Sequence, residues 1–418
     1  MLYNIYVIFF LRIDSIMKKG KGIQHEIFVK KALFTGIIIL VYLIGRSLPL
    51  FGMDVSVEKI EDIDVQLLLL QTVNGDRYQN SIFTLGVFPY MIASLVMQII
   101  VATLSSDKKS RVSQVGLNRL SLNVMLIIAI IQAIYKVGNL SFRYTDENLL
   151  IAKAVVVIQM VAGAFIILWM SDRNSKYGIG GQTTLIYINI LDSLTSAIQG
   201  NPFVKTIIPI VISIVIMVVV IIMENAEKRI PVQRVSIHSI YADKNYMAIK
   251  LNPIGVMPVM FSSAVFMLLQ IFASFLGVLF PNSEAIIWLN DNMALSHLLG
   301  VIVYIGVLYF LTIAMALVFI SPKDLTEQFL KSGDSIVNLH AGKDTKKYLR
   351  KQVLSMSIFS STIMSICILI PMLLERFDII SGSLAILPSS FMLLAGIFYN
   401  LYQEVITIRN YDEYKPFI

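Results

Sequence analysis

Residues 204–223 read VKTIIPIVISIVIMVVVIIM, twenty consecutive positions whose one charge, Lys205, stands second. Wound as a helix rising about 1.5 Å per residue, such a run matches the ~30 Å hydrocarbon core of a bilayer. Outward from it, the same ruler finds candidate spans at 32–51, 83–104, 121–138, 149–170 and 180–197 on one side. On the other side it finds 254–280, 298–320, 352–374 and 379–408, the last broken by Pro388 and ending in a polar turn near Glu404. Composition agrees: 418 residues that are 56% hydrophobic and 15% charged, with a mean hydropathy of +0.76, do not make a soluble domain. The expected class is an all-α membrane protein with ten transmembrane helices.

Several chemistries drop out. The single cysteine, Cys367, lies in an apolar run, and His25, His238, His297 and His340 are scattered without a second ligand three or four residues away. No disulfide framework, metal or cofactor is therefore expected. Gly178-Ile179-Gly180-Gly181-Gln182-Thr183-Thr184 is the nearest approach to a phosphate-binding loop, but it has no lysine and no strand before it. Basic residues are interleaved with spans rather than gathered on a soluble module, which sets nucleic-acid binding aside. The first 16 residues carry a brief apolar run without the charges before it or the small-residue cleavage site after it that a signal peptide has. Met17, followed by Lys-Lys-Gly-Lys-Gly, is an alternative start to Met1.

Charge fixes the orientation. The net charge is +7, and lysine and arginine are retained on the cytoplasmic side of short loops. Lys18, Lys19, Lys21, Lys30 and Lys31, then Lys108, Lys109, Arg111 and Arg119, then the 224–251 and 321–351 loops, are basic and read as cytoplasmic. The 52–82 segment (Asp54, Glu58, Glu61, Asp62, Asp64 and Asp76 against Lys59 and Arg77) and the 281–297 loop (Glu284, Asp291) read as external. Both termini then face the cytoplasm. Within the spans, Arg46, Lys136, Lys153 and Asp192 fall near predicted ends, where snorkelling to the interface is the default explanation. An ion-coupled transporter needs charge at the midplane and an intramembrane enzyme needs a nucleophile and base on facing spans. Spans this bare of charge favour neither; uncharged aliphatic and methionine side chains suit a pathway that seals around a flexible polypeptide.

Phe83-Thr84-Leu85-Gly86-Val87-Phe88-Pro89-Tyr90-Met91-Ile92-Ala93-Ser94 closely resembles the second-helix signature of the SecY family, the central subunit of the general protein-export channel. Leu48 to Asp54 resembles the end of that family's first helix, and Trp169 to Thr184 its fourth-to-fifth helix signature. Asn252-Pro253-Ile254-Gly255-Val256-Met257-Pro258 resembles the start of its seventh, and Ser332-Gly333 with Gly342 and Lys347-Tyr348 the loop between its eighth and ninth. The resemblance runs over the whole chain after residue 30. It implies two pseudo-symmetric five-helix halves around a central pore, 32–200 and 201–408, with a lateral opening between the second and seventh helices. A cytoplasmic N-terminal segment, 1–31, and a cytoplasmic tail, 409–418, flank them.

The resemblance also implies a pore ring of Val87, Met91, Thr183, Tyr187, Val256, Met260 and Ile386, and a plug at 65–75 built on Leu67, Leu68, Leu69 and Leu70. Ordinary helix packing is the alternative for the i, i+4 pairs of the ring, and a peripheral helix the alternative for the plug. Threonine and tyrosine make the ring more polar than an aliphatic one. Further departures, Gly181 where the family has asparagine and His340 where it has an ATPase-engaging arginine, resemble the accessory branch of the family in Gram-positive bacteria. The implied partners are a SecA-type ATPase of dedicated form, small SecE-like and SecG-like subunits, the lipid bilayer, and an unfolded or glycosylated, serine-rich export substrate. Lys228, Arg229 and Arg234 in one loop and His340, Lys343, Lys346 and Lys347 in the other are the candidate ATPase-docking residues, with positive-inside retention as their alternative. The expected location is the bacterial cell membrane, multi-pass.

Overall fold

Inside a bilayer the backbone has no water to bond, so each crossing segment must close its own hydrogen bonds, and helices do this. The computed structural model describes residues 23–52, 81–103, 113–138, 140, 142, 149–199, 201–234, 246–281, 283–295, 297–377, 380, 384–385 and 387–409. The helices are α1 (Ile23–Arg46), α2 (Phe88–Thr103), α3 (Gln114–Gly138), α4 (Leu149–Tyr177), α5 (Gly181–Gln199), α6 (Phe203–Asn225) and α7 (Met257–Leu279). They continue with α8 (Glu284–Asn292), α9 (Leu298–Phe319), α10 (Pro322–Ser332), α11 (Lys343–Arg376) and α12 (Leu387–Arg409). Eight of them, α1, α3, α4, α6, α7, α9, α11 and α12, are long and apolar enough to cross a membrane. The protein is a multi-pass membrane protein. The predicted plug, 65–75, the acidic residues 54–76 and Ile386 lie outside the described residues.

Pro388 does not break the last span. It is the second residue of α12, where a missing N–H costs nothing and a fixed φ starts the helix. Pro209 and Pro371, by contrast, lie inside α6 and α11, where each removes one ladder bond. The predicted span at 83–104 also starts late: residues 82–87 are turns, and the helix begins at Phe88.

Small residues set the close packing of the first half. Ala129 and Ala133 of α3, Ala164 of α4 and Ala93 of α2 join Met125, Val137, Val156, Met160 and Leu168 in one buried cluster, the small side chains letting helix backbones approach where hydrophobicity gives no driving force. In the second half α9 packs between α7 and α11, and α12 lies along α6 while also touching α1 and α5. Phe88 and Ile92 of α2 meet Ala264 of α7 in a separate apolar seam.

One three-stranded sheet interrupts the helical pattern. β1 (Glu227–Arg234) pairs antiparallel with β2 (Tyr246–Lys250) through Glu227–Pro231 and with β3 (Asp334–Ile336) through Val232–Arg234. The two loops that the sequence analysis treated separately are thus strands of one sheet. Its inner face, Ile230, Ile249 and Ile336, packs on Ala316, Leu349 and Val353.

The span-end charges do more than snorkel. Arg46 of α1 donates to Asp192 of α5 at 2.6 Å, Lys136 of α3 donates to the Thr84 carbonyl at 2.8 Å, and the Lys153 ammonium lies 6.0 Å from the centre of the Phe142 ring. Arg46 is buried. Replacing Arg46 by methionine should lower stability by about 1.5–3 kcal/mol, the range for a hydrogen bond to a charged group. Asp192→Asn, which keeps an acceptor, should cost less. Both are read as shifts of the thermal midpoint in detergent; wild-type midpoints for both would restore the snorkelling explanation.

Candidate functional site

The three helices whose starts carry ring candidates begin in the same way, on a turn containing a glycine with positive φ; α11, which follows Gly342 (+103°), does so too. Gly86 (+57°) precedes α2, Gly180 (+76°) and Gly181 (+48°) begin α5, and Gly255 (+72°) precedes α7. Only glycine adopts this region without a Cβ penalty. Around α2 and α7 the sequence itself repeats: Gly86-Val87-Phe88-Pro89-Tyr90-Met91 and Gly255-Val256-Met257-Pro258-Val259-Met260 share the pattern Gly-Val-x-Pro-x-Met. In both, the Met N–H closes the first turn on the Val carbonyl, at 3.1 Å for Met91 and 3.4 Å for Met260. The repeat is legible in the sequence alone, since Gly, Val, Pro and Met recur at the same spacing.

Val87, Met91, Val256 and Met260 are all buried in one hydrophobic cluster, with Tyr187 of α5 packed against it. Thr183 is half-buried and donates to the Gly180 carbonyl at 2.5 Å. Gly396 of α12 makes room for Val256: a Cβ there would lie 2.5 Å from both valine methyls. Five of the seven predicted ring residues, Val87, Met91, Tyr187, Val256 and Met260, thus share one cluster; Thr183 stands in the first turn of α5 outside it, and Ile386 is not among the described residues.

Buried backbone polar groups need partners, and each turn has one. Lys136 holds the Thr84 carbonyl. At the turn before α7, Ser360 donates to the Asn252 side-chain oxygen at 2.9 Å, and the Asn252 amide reaches the buried Glu224 carboxylate at 3.4 Å. A Cβ on Gly255 would stand 2.8 Å from that carboxylate.

At the α5 turn, Asn174, 0% exposed, donates its amide to the Ile179 and Gly181 carbonyls at 3.0 and 2.9 Å. Thr35 of α1 accepts from the Ile179 N–H at 2.8 Å, and Glu404 of α12 accepts from the Gly180 N–H at 3.1 Å. The stretch that looked faintly like a nucleotide loop is therefore a turn saturated by its own chain. At Gly181 a Cβ would lie 2.1 Å from the Ser175 hydroxyl, so glycine there goes with a neighbour that fills the space.

The basic candidates divide into two groups. Lys228 donates to Gln352 of α11 at 2.7 Å. Arg229 is bonded to Glu227 at 2.8 Å and lies over the Tyr246 ring at 4.7 Å; the Glu227 hydrogen bond, then Tyr246, holds its pKa above the ordinary value. Arg234 contributes its backbone to β1, opposite Asp334. His340, Lys343, Lys346 and Lys347 are exposed, and Arg350 and Lys351 extend the same row four residues on, while Thr345, Leu349 and Val353 of that helix face inward. Lysines on the first turns of α11 run against the helix macrodipole, which favours acidic residues there. Arg350 and Lys351 were missed although the i, i+4 spacing from Lys346 and Lys347 announces them. Among the described residues no cluster of three or more metal-ligating side chains occurs.

The SecY family model matches residues 81–402. Among curated proteins, the accessory Sec system protein translocase subunit SecY2 of Streptococcus agalactiae is 30% identical over 94% of this chain and 96% of its own length. The SecY2 of Leuconostoc gelidum is 27% identical over 95% and 99%. Among solved structures, one described as a protein conducting channel superposes with a TM-score of 0.62 at 18% identity over 94% of each chain. Sec61 in a canine ribosome–channel complex does so with 0.60 at 19% over 94% of each.

Asn174→Ala removes the amide donor from the Gly181 carbonyl and from the Ile179 carbonyl, the latter keeping the Thr184 hydroxyl at 2.8 Å, and should cost about 0.5–1.5 kcal/mol per lost hydrogen bond, read as a lowered thermal midpoint. Asn174→Asp, which turns a carboxylate oxygen toward a carbonyl, should be worse than alanine. A midpoint unchanged in both would mean that water substitutes for the amide.

Proposed function

Because the chain belongs to the SecY family, whose solved relatives include a protein conducting channel, we propose that it is the channel subunit of an accessory Sec translocase. It exports serine-rich, glycosylated adhesins through a pore driven by a dedicated SecA-type ATPase, with SecE-like and SecG-like subunits beside it. It is a conduit for polypeptide and not a catalyst. The observation that carries this reading is the paired Gly-Val-x-Pro-x-Met turns, which bring Val87, Met91, Val256 and Met260 into one buried cluster.

The pore reading of that cluster is supported by its helices. The buried cluster that holds these four residues joins α1, α2, α4 and α5 of the first half of the sequence to α6, α7, α9, α11 and α12 of the second, as a pathway between halves requires. Met91 and Met260 supply soft, adaptable side chains for sealing. Counting α2 and α5 with the eight apolar helices gives ten spans. A repeat shared by α2 and α7 is what two pseudo-symmetric halves, 32–200 and 201–408, leave in a sequence. The apolar α2–α7 seam serves as the lateral opening, and 65–75 as the plug. An even number of spans puts both termini on the cytoplasmic side, where the basic loops also lie. There the exposed row of His340, Lys343, Lys346 and Lys347 is the ATPase-docking surface, since Lys228 and Arg229 already have partners within the chain.

The test is site-specific crosslinking from Met91 and Met260 to an arrested export substrate, with the dedicated ATPase or the housekeeping one supplied. Crosslinks from both positions only with the dedicated motor are expected. Crosslinks with either motor would make this a general export channel, and none from either position in the inserted protein would return the cluster to ordinary packing. Reversing Lys343, Lys346 and Lys347 to glutamate should abolish ATPase binding with topology intact; inverted topology would reduce those lysines to positive-inside retention.

A further inference from the structure

α5 is attached to the second half of the chain at both of its ends. At its last residue, Gln199, the connection is covalent, through three residues to α6. At its first turn, about 28 Å away for 19 residues at 1.5 Å each, the connection is made by α12. The Gly180 N–H donates to the Glu404 carboxylate at 3.1 Å, and Leu401 of the same helix occupies the space a Cβ on Gly180 would fill, 2.3 Å from that position. A single glycine thus receives one polar and one apolar contact from α12.

The socket is rigid on its own side. Asn174 and Thr35 bind the carbonyls and the Ile179 N–H of the turn from α4 and α1, so a force along α12 reaches α5 without being absorbed by the turn. Thr183 is tied to Gly180 through its hydroxyl, and Tyr187 follows one helical turn later. The carboxylate also sits where a helix N-terminus favours negative charge. The α2–α7 seam involves none of these helices.

We propose, on the channel reading above, that Glu404 is a hinge pin: a positioning residue that holds the first turn of α5 to α12, fixes Thr183 and Tyr187 in the closed ring, and confines separation of the two halves to the α2–α7 seam. Cutting the pin lets the halves part at both places, and the resting channel leaks.

The full-length protein, reconstituted in planar bilayers, reports this as resting ionic current without ATPase. Glu404→Ala and the one-methylene-shorter Glu404→Asp should each raise the resting open probability about tenfold. Glu404→Gln, which keeps an oxygen for the Gly180 N–H, should stay within about threefold of wild type. Leu401→Ala, which leaves the carboxylate in place, should raise it in the same direction by less. Spin labels on Ile99→Cys and Phe272→Cys, exposed positions of α2 and α7, should show a longer distance population in the leaking variants that glutamine suppresses. Lowered thermal midpoints with unchanged current and unchanged label distances would overturn the pin and leave Glu404 a stabilising cap. Failure of the wild type to conduct even with an export substrate arrested in it would instead overturn the channel reading, and the pin with it.

Discussion

The requirement that backbone polar groups be satisfied inside protein governs the centre of this molecule. The starts of α2, α5 and α7 are glycine turns, and a buried turn leaves carbonyls and amides that only protein groups can bond. The partners come from neighbouring elements: Lys136 from α3, Asn174 and Thr35 from α4 and α1, Glu404 from α12, and Ser360 from α11 beside the Glu224–Asn252 pair. These polar side chains are costly to bury alone and are bound to one another or to backbone here. The positions they fix, Val87, Thr183 and Val256, are those that the family resemblance marks as the ring.

Charge on the two basic loops after α6 and α10 is not uniform. The β-sheet joins the loop after α6 to the segment after α10, and two of its cations are engaged within the chain. Arg229 is held by Glu227 and Tyr246, and Lys228 by Gln352. Cations already paired gain little by meeting a new acid. The row at the start of α11 is placed against the dipole preference and faces outward, which is what singles it out for the proposed docking surface.

Much of this was legible in the sequence. Runs of apolar residues located each long helix, because a bilayer imposes one length on all of them. Helix starts were less visible: Phe88 and Leu387 begin α2 and α12 because Pro89 and Pro388 belong in first turns, and hydropathy does not distinguish a buried turn from a helix. The candidate ring residues come from resemblance, and the internal Gly-Val-x-Pro-x-Met repeat that four of them share is legible in the sequence itself. The pairing of Arg46 with Asp192 and of Glu404 with Gly180 was invisible, since separations of 146 and 224 residues leave no local pattern. The sheet escaped for the same reason, β3 being three residues long and paired across the intervening spans.

The central claim is that a polypeptide passes between α2, α5, α7 and α12. A cryo-electron-microscopy map of the protein in lipid, with its ATPase and an export substrate arrested midway, tests it most directly. The account predicts a tube of extended-chain density between Met91 and Met260, with the side chains of the buried cluster drawn apart around it. Density for the substrate outside the helices, with Met91 and Met260 still packed in one closed cluster, would contradict it.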